Sequence, residues 1–276
     1  MIATFHHRDF PLRTLLRLKG EQGAVISCVV PTLNEEATIA QVIAALRKNP
    51  LTDEVVVVDS GSEDATLARA REAGAAVHLA SSIRPELGPA RGKGENLWKS
   101  LFVTRGGILV FIDGDLRHPH PRYVTGLAGP LLAHEGVSYV KAFYKRRGGG
   151  GRVTEILARP LLRQFFPDLA PLLQPLAGEY AARRSLLAQL PFPTGYSVEM
   201  AHLLDVAQHY GTGCLAQCGL GSRTHRTRPL EDLGVMSEGI LRTVVARLRA
   251  RGIMAADAPG NAEAEMERPP ADSLAP

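Results

Sequence analysis

Short apolar runs end, one after another, in loops rich in acids and small residues, and segments of helical spacing separate them. Residues 24–30 read as a buried strand broken by Pro31 and followed by Thr32, Leu33, Asn34, Glu35 and Glu36. Over 38–48 the apolar positions Ile39, Val42, Ile43 and Leu46 share one helical face. A second run, 55–58, ends in Asp59-Ser60-Gly61-Ser62; a short one covers 76–79; another, 108–112, ends in Asp113-Gly114-Asp115. Strands alternating with helices specify an α/β fold, a mostly parallel sheet with helices on both faces. Ligands of such sheets bind at the carboxyl ends of the strands, so chemistry is expected in the acidic loops.

Two carboxylates two residues apart, where a buried strand gives way to loop, crowd negative charge beside an apolar core unless a cation joins them. Oxygen ligands favour a hard divalent ion such as Mg²⁺ or Mn²⁺, which usually completes its shell with water and substrate phosphates. An isolated Asp-x-Asp is more often a polar loop with two solvated acids, so the pair needs support from elsewhere in the chain.

At 276 residues, 45% hydrophobic and 22% charged, the chain can bury a sizeable core as one large domain or two packed halves. The expected boundaries are an N-terminal extension over 1–23 containing a short helix, a first half over 24–116, a second over 117–252, and a disordered tail over 253–276, where apolar periodicity ends. No apolar stretch approaches the roughly 20 residues that span a bilayer, and no secretory signal is evident, so a cytoplasmic protein without membrane partners is expected. Cys28, Cys214 and Cys218 are too few for a disulfide framework and read as thiols packed in or near strands. A net charge of +4 suits anionic metabolites, and the 5% aromatic content gives no sign of nucleic-acid stacking.

Pro31 to Glu36, Asp59-Ser60-Gly61-Ser62, Gly92-Lys93-Gly94-Glu95 and Asp113-Gly114-Asp115 together resemble the nucleotide-sugar half of family 2-like glycosyltransferases of the A-type fold. Four later segments narrow the resemblance to the glucosyl-3-phosphoglycerate synthase family: 150–155, 174–180, 195–199 and 225–230. It spans roughly residues 24–250 and keeps the family's motif order. It implies the glycosyltransferase-A fold, a Rossmann-like sheet with an acceptor-binding C-terminal half integrated into it.

On the donor side the resemblance assigns Pro31, Leu33 and Glu35 to the nucleoside, Ser60 to the base and Lys93 to the diphosphate. Asp113, Gly114, Tyr196, Glu199 and Arg223 join that donor set, with Glu199 fixing sugar hydroxyls. Asp115 and His225 become the metal ligands, and Asp115, Glu199 and Lys93 the catalytic residues. Read from the residues alone, Glu35 and Glu36 are equally helix-start acids favoured by the dipole, and residues 59–66 equally a cap. The glycines flanking Lys93 let a backbone approach a ligand, without the spacing of a P-loop. Gly114, Ala177 and Thr227 depart from the family pattern, the first in a way expected to loosen its turn.

On the acceptor side, the basic run 145–147 leads into the glycines 148–151, whose amides could form an anion-binding nest. The resemblance assigns Gly151, Arg152, Thr154, Thr227 and Arg228 to 3-phosphoglycerate. The implied reaction is retaining transfer of glucose from UDP-glucose to the acceptor 2-hydroxyl, with Mg²⁺ or Mn²⁺ and no separate side-chain base. GDP-mannose with mannosyl transfer is the nearest alternative, and a non-catalytic nucleotide-sugar-binding protein the alternative of another class. Helical spacing over 236–248 fits either a homodimer face or closure of the core.

Overall fold

The computed structural model describes residues 1–89, 92–147, 151–224, 229–255 and 265–274. Strands are β1 Ala3–His6, β2 Ile26–Thr32, β3 Glu54–Asp59, β4 Ala76–Leu79, β5 Ile108–Phe111, β6 Tyr139–Arg147, β7 Tyr180–Arg183, β8 Phe192–Pro193, β9 Leu215–Thr224 and β10 Glu267–Arg268. Helices are α1 Leu12–Glu21, α2 Ile39–Arg47, α3 Thr66–Glu72, α4 Lys93–Val103, α5 Arg122–Ala133, α6 Arg159–Phe165, α7 Arg184–Leu187, α8 Val198–Tyr210 and α9 Leu230–Ala250.

Eight strands form one sheet in the order β1, β9, β6, β7, β5, β2, β3, β4. Only β7 runs against the rest, pairing antiparallel with both β5 and β6. It therefore brings its amino end to the edge where its neighbours end. Successive side chains on a strand face opposite ways, and both faces of this sheet are covered. Cys28, Val30, Val55, Val57 and Val110 point into one core with α1, α2 and α5. Their neighbours Val29, Leu109 and Phe111 point into the other, with Trp98 of α4 and with α8 and α9. Full burial of a side chain as large as Phe111 is worth about 2 to 3 kcal/mol, which explains the near-continuous apolar strands.

Several sequence expectations change. Pro31 does not break the first strand: it stays in register with Val58 of β3. The pairing with β5 ends at Val29 and Phe111, so the N–H that Pro31 lacks falls where no β5 ladder needs it. The N-terminal extension contains the expected helix, α1, and also β1, which joins the sheet edge parallel to β9. The disordered-tail reading fails over 265–274, where β10 pairs with β8 and the Arg268 guanidinium is buried on Glu95. A charge pair holds this segment, so apolar periodicity could not reveal it. All three cysteines are free, Cys28 and Cys218 buried within β2 and β9, and Cys214 half-buried just before β9.

Candidate active site

The carboxyl ends of β5 and β9, the amino end of β7 and the first turns of α4 and α8 converge on one set of ionised groups. Beyond β5, Ile112 N–H bonds Val29 O at 3.0 Å, and the chain then turns through Asp113, Gly114 and Asp115. Thr38 Oγ1 donates to Gly114 O at 2.7 Å, so this turn is held, not loosened as expected from the glycine. A Cβ at Gly114 would lie 3.1 Å from Thr32 Cγ2, which accounts for a small residue there.

Lys93, the first residue of α4, places Nζ 2.6 Å from Asp113 Oδ1 and 2.7 Å from Glu199 Oε1 in the first turn of α8. Arg223, near the end of β9, lies 3.4 Å from Asp113 and 3.5 Å from Asp115, and meets Glu179 in close contact. Gly178 leaves room for this: its Cβ would sit 2.3 Å from Asp113 Oδ2 and 2.5 Å from Lys93 Nζ. Lys141 of β6 lies behind, donating to Ala177 O at 2.6 Å over the Tyr180 ring.

Burial alone would lower the Lys93 ammonium, but Asp113 and Glu199 overcome it and hold it well above the usual lysine value. Burial likewise opposes ionisation of Asp113, yet Lys93 and Arg223 hold its carboxyl far below the ordinary range. Burial pushes Glu179 up to about 7, with Arg223 opposing and Asp113 adding to the rise. Burial also brings Lys141 down to about 8. Asp113, Asp115, Glu179 and Glu199 thus meet Lys93 and Arg223 in one cluster of ion pairs, with Lys141 close behind.

The glycines beside Lys93 serve a purpose other than the one expected. A Cβ at Gly94 would come within 1.8 Å of Pro193 O, and one at Gly92 within 2.5 Å of Thr194 O. Gly94 N–H and Glu95 N–H donate to Gly195 O and Thr194 O at 3.1 and 3.0 Å. Two of the donors that a helix start offers an anion are therefore taken up by the chain itself. What the stretch chiefly offers the site is the Lys93 charge.

Around β2 and β3, Asp59 is fully buried and accepts from Gly61 N, Ser62 N and Thr32 Oγ1 at 2.7 to 2.8 Å, fixing the loop that carries Ser60. The Ser60 hydroxyl donates to Asn96 Oδ1 at 3.0 Å. Glu36 accepts from Ala65 N at 3.1 Å, at the start of α3 and not of the helix that follows it in the chain, while Leu33 and Tyr196 are exposed and Glu35 is half-buried. Gly151, Arg152 and Thr154 lead into a π-helical turn, Thr154–Ala158, with Gly151 at φ +91° and Thr154 buried. His225, Thr227, Arg228 and the glycines 148–150 lie outside the described residues.

Two buried carboxylates escaped the sequence reading as site residues. Glu179 stands immediately before a buried strand, as Asp113 stands just after one, and that symmetry was the available signal. Glu95 reads as an ordinary helix-start acid, and only the fold brings Arg268 to it. Beside Arg223 a cavity of about 240 Å³ opens between Leu116, Arg117, His118, Arg122 and Ser222.

Among the described residues no group of three metal-ligating side chains occurs. The half-exposed Asp115 carboxylate, an oxygen donor at the mouth of this acidic cluster, nonetheless fits a hard cation with few protein ligands and phosphate oxygens for the rest.

The model of the family described as "Glycosyl transferase family 2" matches residues 27–190. The glucosyl-3-phosphoglycerate synthase of Petrotoga mobilis is 46% identical over 264 residues, covering 90% of this chain and 81% of that protein. The crystal structure of the Mycobacterium tuberculosis glucosyl-3-phosphoglycerate synthase, in complex with Mn²⁺, UDP and glucosyl-3-phosphoglycerate, superposes with TM-score 0.89 at 44% identity over 99% of both chains. The mannosyl-3-phosphoglycerate synthase of Rubrobacter xylanophilus superposes with TM-score 0.93 at 36% identity, over 99% of this chain and 97% of that one. By sequence and by fold, the chain belongs to glycosyl transferase family 2, within the glucosyl-3-phosphoglycerate synthase family.

Proposed function

We propose that the protein transfers glucose from UDP-glucose to the 2-hydroxyl of 3-phosphoglycerate with retention, giving glucosyl-3-phosphoglycerate and UDP. The observation that carries this reading is the Lys93 bridge between Asp113 and Glu199 at the carboxyl edge of the sheet. Asp115, with His225, would hold the Mg²⁺ or Mn²⁺. When bound, the ion supplies charge stabilisation for the departing diphosphate. Lys93 adds its ammonium to the same oxygens, and Glu199 accepts hydrogen bonds from the sugar hydroxyls. Pro31, Leu33, Glu35, Ser60, Gly114, Tyr196 and Arg223 complete the donor site. As the C1–oxygen bond to UDP breaks, the acceptor oxygen bonds C1 and its proton passes to a leaving-group phosphate oxygen.

Gly151, Arg152, Thr154, Thr227 and Arg228 are assigned to the acceptor's phosphate and carboxylate. Loss of a charge-assisted contact costs about 1.5 to 3 kcal/mol, so Arg152→Ala should raise the 3-phosphoglycerate KM at least about tenfold with donor affinity nearly unchanged. Equal loss for both substrates in calorimetry would make Arg152 structural.

The same reading includes a cytoplasmic homodimer. It is favoured by Leu230, Val235 and Leu241, which α9 leaves exposed while Ile240, Val244 and Leu248 close the core. Sedimentation at micromolar concentration tests it. No helix among the described residues is long and apolar enough to cross a membrane.

The deciding assay presents UDP-glucose and GDP-mannose, each with 3-phosphoglycerate and Mg²⁺ or Mn²⁺, and reads product by mass and anomeric configuration by NMR. Faster turnover with GDP-mannose would replace the donor assignment. Tight donor binding without product would make the protein a nucleotide-sugar binder instead.

A further inference from the structure

The Lys93–Glu199 ion pair joins the starts of α4 and α8, and residues 265–268 touch both starts from behind. Met266 O accepts from Thr194 N at 2.9 Å, while Thr194 O accepts from Glu95 N on α4 at 3.0 Å. The Arg268 guanidinium donates to both Glu95 carboxylate oxygens at 2.8 and 2.9 Å. It also donates to Leu87 O at 2.6 Å and Gly88 O at 2.9 Å, and lies 5.4 Å from the centre of the Trp98 ring. Glu95 is wholly buried, two residues beyond Lys93. On the other side the Glu265 carboxylate accepts from the Ser197 hydroxyl, two residues before Glu199. It fills the space a side chain would need at Gly195, whose Cβ would lie 1.7 Å from Glu265 Oε1. Glu267 is anchored in turn by Arg247 of α9 at 2.6 Å.

We propose that residues 265–268 form a positioning clip for the donor site, with Arg268 setting the start of α4 through Glu95 and Glu265 setting the start of α8 through Ser197. A buried, fully bonded charge pair adds little net stability but tolerates few geometries, which suits a spacer better than a glue. Arg268 and Glu265 are positioning residues: they act through Lys93 and Glu199, and the inference rests on the donor-binding role given to those two above. Misplacing reacting groups by about 1 Å commonly costs about 100-fold in rate. Slack in the clip should therefore appear in turnover before it appears in folding. Glu95 retains Lys99 Nζ at 3.1 Å when Arg268 is removed, so its charge is not left uncompensated.

The test compares the full chain with Glu265→Ala, Arg268→Met and Arg268→Lys in steady-state assays with UDP-glucose, 3-phosphoglycerate and Mn²⁺. We expect kcat to fall at least about tenfold in Glu265→Ala and Arg268→Met, with the acceptor KM within about twofold of the parent's. The melting temperature of Glu265→Ala should stay within about 2 °C of the parent's. Arg268→Lys should recover part of the lost kcat, because it restores the charge on Glu95 without the fork for both carbonyls. Unchanged kcat in both variants, or a loss that tracks the unfolded fraction, would overturn the clip. A parent chain inactive with every donor would overturn the proposed function instead. The clip is then judged by hydrogen exchange, where Arg268→Met should lower protection of Gly94 and Glu95, and equal protection would end it.

Discussion

Lys93 is the residue on which most of the site's electrostatics turn, because it alone separates the carboxylates of Asp113 and Glu199. Removing one partner of a buried, bonded charge set typically costs about 3 to 5 kcal/mol. Lys93→Met should therefore lower both turnover and unfolding free energy, whereas Asp115→Asn, at a half-exposed carboxylate, should abolish turnover and leave stability within about 1 kcal/mol of the parent's. Parallel urea titrations and assays separate the two outcomes, and an active Asp115→Asn would remove Asp115 from the metal site. The acid pair was legible in the sequence because it follows an apolar run and can be read from adjacent residues. Glu179 and Arg223 were harder to join, since their contact depends on the reversal of β7, which short apolar runs do not announce.

At the scale of single elements, α8 carries a test of its own. His202 is fully buried, with the Phe192 ring 4.3 Å away and no hydrogen-bond partner among the described residues for either ring nitrogen. Burial, with Lys141 and Arg247 adding to it, brings the imidazole down to about 3. Between pH 6.5 and that value the unfolded chain binds a proton that the folded chain refuses, so stability is present above pH 6.5 and is lost as pH falls. The loss down to pH 4 is about 3 kcal/mol from this residue. His202→Leu should change stability little at pH 8 and exceed the parent by a similar amount at pH 4; equal acid sensitivity in urea titrations at both pH values would refute this. The helices over 38–48 and 236–248 were readable from apolar spacing. By contrast β1 and β10 were not, for each is short, β1 half polar and β10 wholly charged, and each is defined only by the distant strand it pairs with.

Across the whole molecule, the two halves of the chain share one sheet and meet along the pairing of β5 with β7. β5 of the first half and β6 of the second both pair with β7. Neither half keeps a complete sheet when the other melts, so calorimetry should show one cooperative transition, and two resolved transitions would mean the halves unfold separately. That shared sheet also explains why a boundary near residue 116 divides the motifs by role without dividing the fold. β1 adds a matter of timing. Its partners are Ala216 to Gly219, so β1 can take its place only after the long stretch of chain between the two strands has been made. Until then its Phe5 and the adjacent Ile2 have no sheet edge to pack on, and the nascent chain carries them as unpaired apolar surface. Closure of this edge belongs among the last steps of folding, and crowding at that stage would favour pairing between chains at the open β9 edge.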